Sequence, residues 1–178
     1  MSRLTPPVSE RDHLLGSADA RVTLVEYGDF ECPYCGALHP VIQAARQAFG
    51  GNLRFGFRHF PLRSSHPHAL AAAKAAEAAA EQGRFWEMHD RLYRRQTELE
   101  DEDLLRHARK IGLDVARFER ELAARTHEVR IREDLASAAQ SGAGGTPSLF
   151  INGELYQGPL DRDDVFAALA RAAVAAIP

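Results

Sequence analysis

The sequence holds only two cysteines, one tryptophan and two methionines in 178 residues. Cys32 and Cys35 are too close together to form a structural staple, because a crosslink stabilises chiefly by closing a long loop and this loop is minimal. Lysine is nearly absent, at positions 74 and 110, and the arginines that supply the other positive charges alternate with Glu and Asp. With a formal net charge of −3 and no single-sign surface, nucleic acid is excluded as an expected partner. No apolar run is long enough to span a membrane, since the stretch 69–80 is alanine interrupted by Lys74 and Glu77. The first twelve residues show neither the apolar segment nor the small-residue cleavage site of a secretory signal, so the expected location is cytoplasmic. Internal repeats are also missing. What is present is a 45% hydrophobic chain, able to bury one substantial core and too short for two full-sized domains.

Val22-Thr23-Leu24-Val25-Glu26-Tyr27 is a β-branched and aromatic run of the kind that forms a buried strand. It leads through Gly28-Asp29-Phe30-Glu31 to Cys32-Pro33. Proline suits the first turn of a helix because its missing N–H would be unpaired there, so a helix is expected to begin at Cys32. That helix runs toward Phe49, stops at Gly50-Gly51 and carries Pro40 as an interior kink. Leu53 to Phe60 alternates apolar and other residues and reads as a second strand, giving a right-handed parallel βαβ unit.

From His68 to about Ser141 the apolar spacing is helical throughout, and Gly83 and Gly112 cut the stretch into several helices. Ser148 to Ile151 and Glu154 to Gln157 flank Asn152-Gly153, a strong hairpin signal. A last helix starts near Asp161. The order β-α-β, helical block, β-β-α places an all-helical insertion within an α/β fold. The expected division is a surface arm at 1–20, one α/β domain from 21–66 and 142–178, and the helical insertion at 67–141.

Cys32-Pro33-Tyr34-Cys35 lies at a strand-to-helix junction, where unpaired backbone amides and the positive end of the helix dipole favour a thiolate. Cys32 is then the nucleophile of a redox pair, and Cys35, one turn further in, resolves the mixed disulfide. The competing use of these residues is half of a zinc site completed by His39, His59, His66 or His68. The strand, proline and helix context needs no metal, and no cofactor is expected. His39 and His59 are read as packed or surface histidines, and Trp86 as filler between helices and sheet.

The motifs 25–35, then Phe57-Arg58-His59-Phe60-Pro61-Leu62, then Phe85-Trp86-Glu87-Met88-His89, then Gly145-Thr146-Pro147 before Leu149 to Gly153 together resemble the DsbA family. More narrowly, the chain is similar to signal-less members of that family that also occur fused to sodium/proton antiporters. The resemblance covers roughly residues 11–175. It implies a thioredoxin fold with an inserted helical domain and a Cys32/Cys35 dithiol. It also implies a cis-proline loop at Thr146-Pro147 opposite that pair, where backbone at 146 can bind an extended peptide. Glu26, six residues before Cys32, matches a buried acid of the family that would accept the proton of Cys35. Pro33 and Tyr34 border the nucleophile on the partner side, and the same dipeptide occurs in glutaredoxins, which adds glutathione to protein and peptide thiols or disulfides as expected partners. The alternatives are a glutathione-dependent transferase or isomerase on this fold, or a non-catalytic zinc or partner-binding module. The expected state is a monomer.

Overall fold

The computed structural model describes residues 2–124 and 126–176. Residues 1, 125, 177 and 178, which belong to the expected arm, insertion and closing segment, lie outside it. The chain forms β1 (His13–Leu15), β2 (Val22–Gly28), α1 (Pro33–Phe49), β3 (Leu53–His59), α2 (Ala69–Ala80), α3 (Phe85–Arg94) and α4 (Asp101–Lys110). It continues with α5 (Val115–Ala123), α6 (Thr126–Ser141), β4 (Ser148–Ile151), β5 (Glu154–Leu155) and α7 (Arg162–Ala175). The strands make one mixed sheet in the order β1-β3-β2-β4-β5. β2 and β3 are parallel, as a crossover helix requires, while β1, β4 and β5 pair antiparallel. This is the thioredoxin fold with a helical insertion, α2 to α6, between β3 and β4.

β2 is buried on both faces, and its period of two sorts the residues between them. Val22 and Leu24 face α1 and α7, where they pack with Leu38, Ile42, Phe55, Leu149, Val165 and Leu169. Val25 and Tyr27 face the other way, against Phe150 and against Ala138 of α6. By the same period Glu26 falls on the α1 face. The insertion contributes its own core, in which the close-packed alanines of α2 meet Phe85, Met88, Leu92 and Phe118. That core runs without a break into Phe30, Cys32 and Cys35, so the insertion packs directly behind the cysteine pair. Trp86 lies between the insertion core and the sheet core, its ring tilted against Phe55 at 5.5 Å between centroids.

Several expectations shift at their edges. Cys32 is the residue before α1 and Pro33 its first helical residue; α1 continues through Pro40. The second hairpin strand is shorter than expected, ending at Leu155. Its turn has Asn152 and Gly153 both at positive φ, the backbone of a tight two-residue hairpin.

The segment 1–20, expected as a surface arm, contains β1, which pairs along Phe55, Gly56 and Phe57. It also carries a buried anchor. Asp12 accepts from Arg58 Nε at 2.7 Å and Nη2 at 3.2 Å, while Arg58 Nη1 donates to the Tyr27 hydroxyl at 3.0 Å. Arg58 is 2% exposed, and a buried guanidinium is tolerated because these partners and the Pro6 carbonyl satisfy it.

Candidate active site

Cys32 sits where the sheet hands over to α1. Its backbone is extended, at φ −70° and ψ 120°, and no side chain caps the helix. The thiol of Cys35 makes the largest contribution in favour of a Cys32 thiolate, and the uncapped first-turn amides of Tyr34 and Cys35 favour it as well. Thr146 adds to this through its hydroxyl, which has no other partner and favours the thiolate, whereas its carbonyl, 3.5 Å from Cys32 Sγ, accepts from the protonated thiol. Together these outweigh the desolvation of the sulfur and bring the Cys32 thiol from 9.0 down to about 5.

Cys35 is driven the opposite way. It is fully buried, it gives its hydrogen to Cys32, and it faces the charge of Glu26, so its thiol is held far above the ordinary range. One sulfur of the pair is thus anionic at neutral pH and the other is a protonated reserve. The two cysteines are unbonded in this structure.

Glu26 lies on the central strand, opposite Phe57 on one side and Leu149 on the other, and is 1% exposed. Burial pushes its carboxyl from 4.5 to about 8, against a hydroxyl donated by Tyr93 at 3.4 Å and with some help from the Cys32 charge. Space for this group comes from Gly28, two residues along the same face. A Cβ there would lie 2.5 Å from the Tyr93 hydroxyl and from Phe57 Cε2, and 3.0 Å from Glu26 Oε1. Tyr93 is itself raised well above 10.0 by burial and by the neighbouring charges of Glu26 and Cys35.

The loop that delivers Cys32 is held from two directions. Asp29, 2% exposed, accepts from the backbone of Glu31 and Leu62 at 2.8 Å and from His66 Nδ1 at 2.7 Å. Glu31 accepts from the backbone N–H and the ring of His68 at 2.7 and 2.9 Å. These bonds tie the β3–α2 loop to the approach of the cysteine pair. Burial pulls His66 down, but the bond to Asp29 and the charges of Asp29, Cys32 and Glu31 prevail and raise it. From α3's trailing turn, Gln96 Nε2 donates to the carbonyls of Phe30 and Cys32 at 2.9 and 2.8 Å.

The structure therefore brings Cys32, Cys35, Glu26 and Thr146 into one cluster. Pro33 and Tyr34 are exposed beside it, Tyr34 at 72%, and the Thr146–Pro147 peptide bond is cis. Of the four histidines weighed for a zinc site, three are hydrogen-bonded elsewhere. His59 bonds Glu77 at 2.7 Å, His66 bonds Asp29 and His68 bonds Glu31, while His39 is buried 3.7 Å from Asp90. Among the described residues, no cluster of three metal-type ligands includes either cysteine. Burial is also the main reason His39 is pulled down to about 4, so its ring is neutral. Sequence reading missed Asp29, Tyr93 and Gln96. Asp29 sat in plain view inside the motif, whereas Tyr93 and Gln96 come from the insertion and reach the site only through tertiary docking.

A family model described as Thioredoxin matches residues 8–171. The chain belongs to the thioredoxin family. Within it, the solved structure of a thioredoxin-like oxidoreductase from Silicibacter pomeroyi DSS-3 superposes with a TM-score of 0.82 at 30% identity, covering 92% of this chain and 93% of that one. BdbD from Bacillus subtilis, in its oxidised form, superposes with a TM-score of 0.82 at 22% identity, over 94% and 96% of the two chains. The thiol-disulfide exchange protein alpha-DsbA2 from Wolbachia pipientis gives 0.80 at 23%, over 92% and 88%. The fold of this thioredoxin-family chain is thus of the DsbA kind. Among curated proteins it is 46% identical over 169 residues to Na(+)/H(+) antiporter NhaA 1 of Salinispora arenicola and 44% over 168 residues to NhaA 1 of Mycolicibacterium gilvum. Those matches take in 95% and 93% of this chain but 26% and 27% of the antiporters, so the chain spans about a quarter of their length.

Proposed function

We propose that the chain exchanges thiols and disulfides through Cys32 and Cys35, with protein, peptide or low-molecular-weight partners. The observation that carries this reading is the placement of the pair, with Cys32 at the uncapped N-terminus of α1 beside Thr146 and Cys35 fully buried one turn in, which favours a thiolate on the first sulfur and a protonated thiol on the second. A thiolate is the attacking species in exchange, and a low-pKa thiolate is also a good leaving group.

In the reducing direction the Cys32 thiolate attacks one sulfur of a partner disulfide, forming a mixed disulfide and expelling the second partner sulfur as thiolate. Cys35 then loses its proton to the Glu26 carboxylate and attacks Cys32, releasing the first partner sulfur and closing the Cys32–Cys35 bond. Two electrons pass to the partner, and the reverse sequence oxidises a partner dithiol. Stabilisation of the reduced form by the Cys32 thiolate makes the disulfide the more oxidising, which favours the oxidant direction.

Thr146 and Pro147 face the pair, and the backbone at 146 serves as the edge against which an extended partner segment lies. Tyr34 and Pro33 supply exposed apolar contact next to the nucleophile. Cys32 itself is 2% exposed, so a partner sulfur has to displace part of its cover to reach it.

The test is equilibration of the purified chain with glutathione redox buffers, followed by mass analysis of trapped species. Cys35→Ser is expected to accumulate a mixed disulfide on Cys32, and Cys32→Ser to form none and to lose insulin reduction. Wild-type insulin reduction by Cys32→Ser would overturn the assignment.

A further inference from the structure

Gln96 lies in the turn after α3, more than sixty residues from the cysteine pair in sequence, and its side chain reaches the loop that carries the nucleophile. Nε2 donates at 2.9 Å to the Phe30 carbonyl and at 2.8 Å to the Cys32 carbonyl. The second acceptor also opens α1, because Gly36 N–H donates to the same Cys32 carbonyl at 3.1 Å. One amide group thus bridges the residue two before the nucleophile and the nucleophile's own peptide.

The approach has been given room. Gly36 faces the same terminal amide of Gln96 from its oxygen side, and a Cβ at Gly36 would lie 2.0 Å from Gln96 Oε1 and 2.6 Å from its carbonyl carbon. Gly36 has no other reason to be glycine that the structure shows, since it is a helical residue without positive φ, where alanine would be the better helix former. The half-buried Gln96 therefore fits over the first turn of α1 as a lid fits a rim.

We propose that Gln96 is a positioning residue for thiol exchange. By holding the carbonyls of Phe30 and Cys32, it fixes the first-turn orientation in which the Tyr34 and Cys35 amides address the sulfur. The inserted helical block then does more than cover the sheet. Through Gln96 it sets how well the helix terminus stabilises the Cys32 thiolate, and through Tyr93, one turn earlier, it touches the acid that serves Cys35. This rests on the thiol-exchange reading above.

The test uses the full chain and two substitutions. A carboxylate has no hydrogen to give to two carbonyls, so Gln96→Glu keeps the shape and removes both bonds; Gly36→Ala disturbs the same contact from the helix side. Thiolate absorbance at 240 nm is followed against pH in the reduced protein. Both substitutions are expected to raise the Cys32 midpoint, by about one pH unit for Gln96→Glu, with a roughly ten-fold fall in thiolate and in alkylation rate below the wild-type midpoint. Gln96→Ala is expected to lie between wild type and Gln96→Glu.

An unchanged midpoint in Gln96→Glu and Gly36→Ala, with only the melting temperature lowered, would reduce Gln96 to a packing residue and overturn the proposal. Failure of the wild-type chain to exchange disulfides at all would instead strike the reading on which it rests. The two failures are distinguishable because the midpoint is read without any partner.

Discussion

Replacing Glu26 by Gln should make the reduced protein more stable, and increasingly so as the pH rises. The side chain is 1% exposed and its carboxyl titrates at about 8 rather than 4.5, chiefly because burial disfavours the charge. Between those two values the native state keeps a proton that the unfolded chain has released, so native stability falls as pH rises through the window. With about 1.4 kcal/mol per unit, the accumulated cost is about 1 kcal/mol at pH 5, about 3 at pH 7 and about 4 at pH 8. Glutamine has nearly the same shape, can pair with the Tyr93 hydroxyl and carries no charge to desolvate. The Gln variant's advantage should therefore grow by about 2 kcal/mol from pH 5 to pH 7, equivalent to a rise of roughly 4–8 °C in the melting temperature difference. Urea unfolding of both proteins under a phosphine reductant at pH 5, 7 and 8 reads this directly, because other titrating groups cancel in the difference. A difference that stays flat across pH would mean that Glu26 ionises natively as it does in the unfolded chain, and would refute its assignment as a desolvated proton acceptor.

Two further outcomes follow from the same site and its supports. The Cys32 thiol is lowered in the fold, so the stability it adds to the reduced protein is full above the unfolded value of 9.0 and is lost as pH falls toward about 5. Melting temperatures of the reduced form, measured relative to the oxidised form, should accordingly rise with pH across that interval; a fall would contradict the lowered thiol. Asp12→Ala leaves the Arg58 guanidinium buried without its carboxylate and should cost about 3–5 kcal/mol in urea unfolding, whereas an exposed pair such as Arg84 with Glu87 should cost less than about 1.

The parts of the molecule that declare themselves in sequence are those whose physics is local. The β-branched run 22–27, the Cys-Pro junction, the Asn152-Gly153 turn and the helical period of 68–141 each follow from backbone preferences and side-chain spacing over a few residues. The position of Cys32 at the start of α1 was legible for the same reason, since a helix terminus acts within its first turn. β1 was not legible. His13-Leu14-Leu15 is too short to show alternation, and it becomes a strand only because the edge of β3 lies free to pair with it. Asp12 likewise reads as a loop acid until Arg58 is found buried beside it. That Glu26 faces core was not legible from its strand, because the cover over its face of β2 comes from elements distant in sequence, Tyr93 of α3 among them. Gln96 carried no signal, because a polar residue between two helices is ordinary until the turn docks on the carbonyl of Cys32.

The chemistry of the site rests most directly on the ionisation of the reduced cysteine pair. Thiolate absorbance at 240 nm across pH should show one sulfur ionising with a midpoint near 5 and the second remaining protonated beyond the ordinary thiol range. Two thiols titrating together near 9.0 would contradict it.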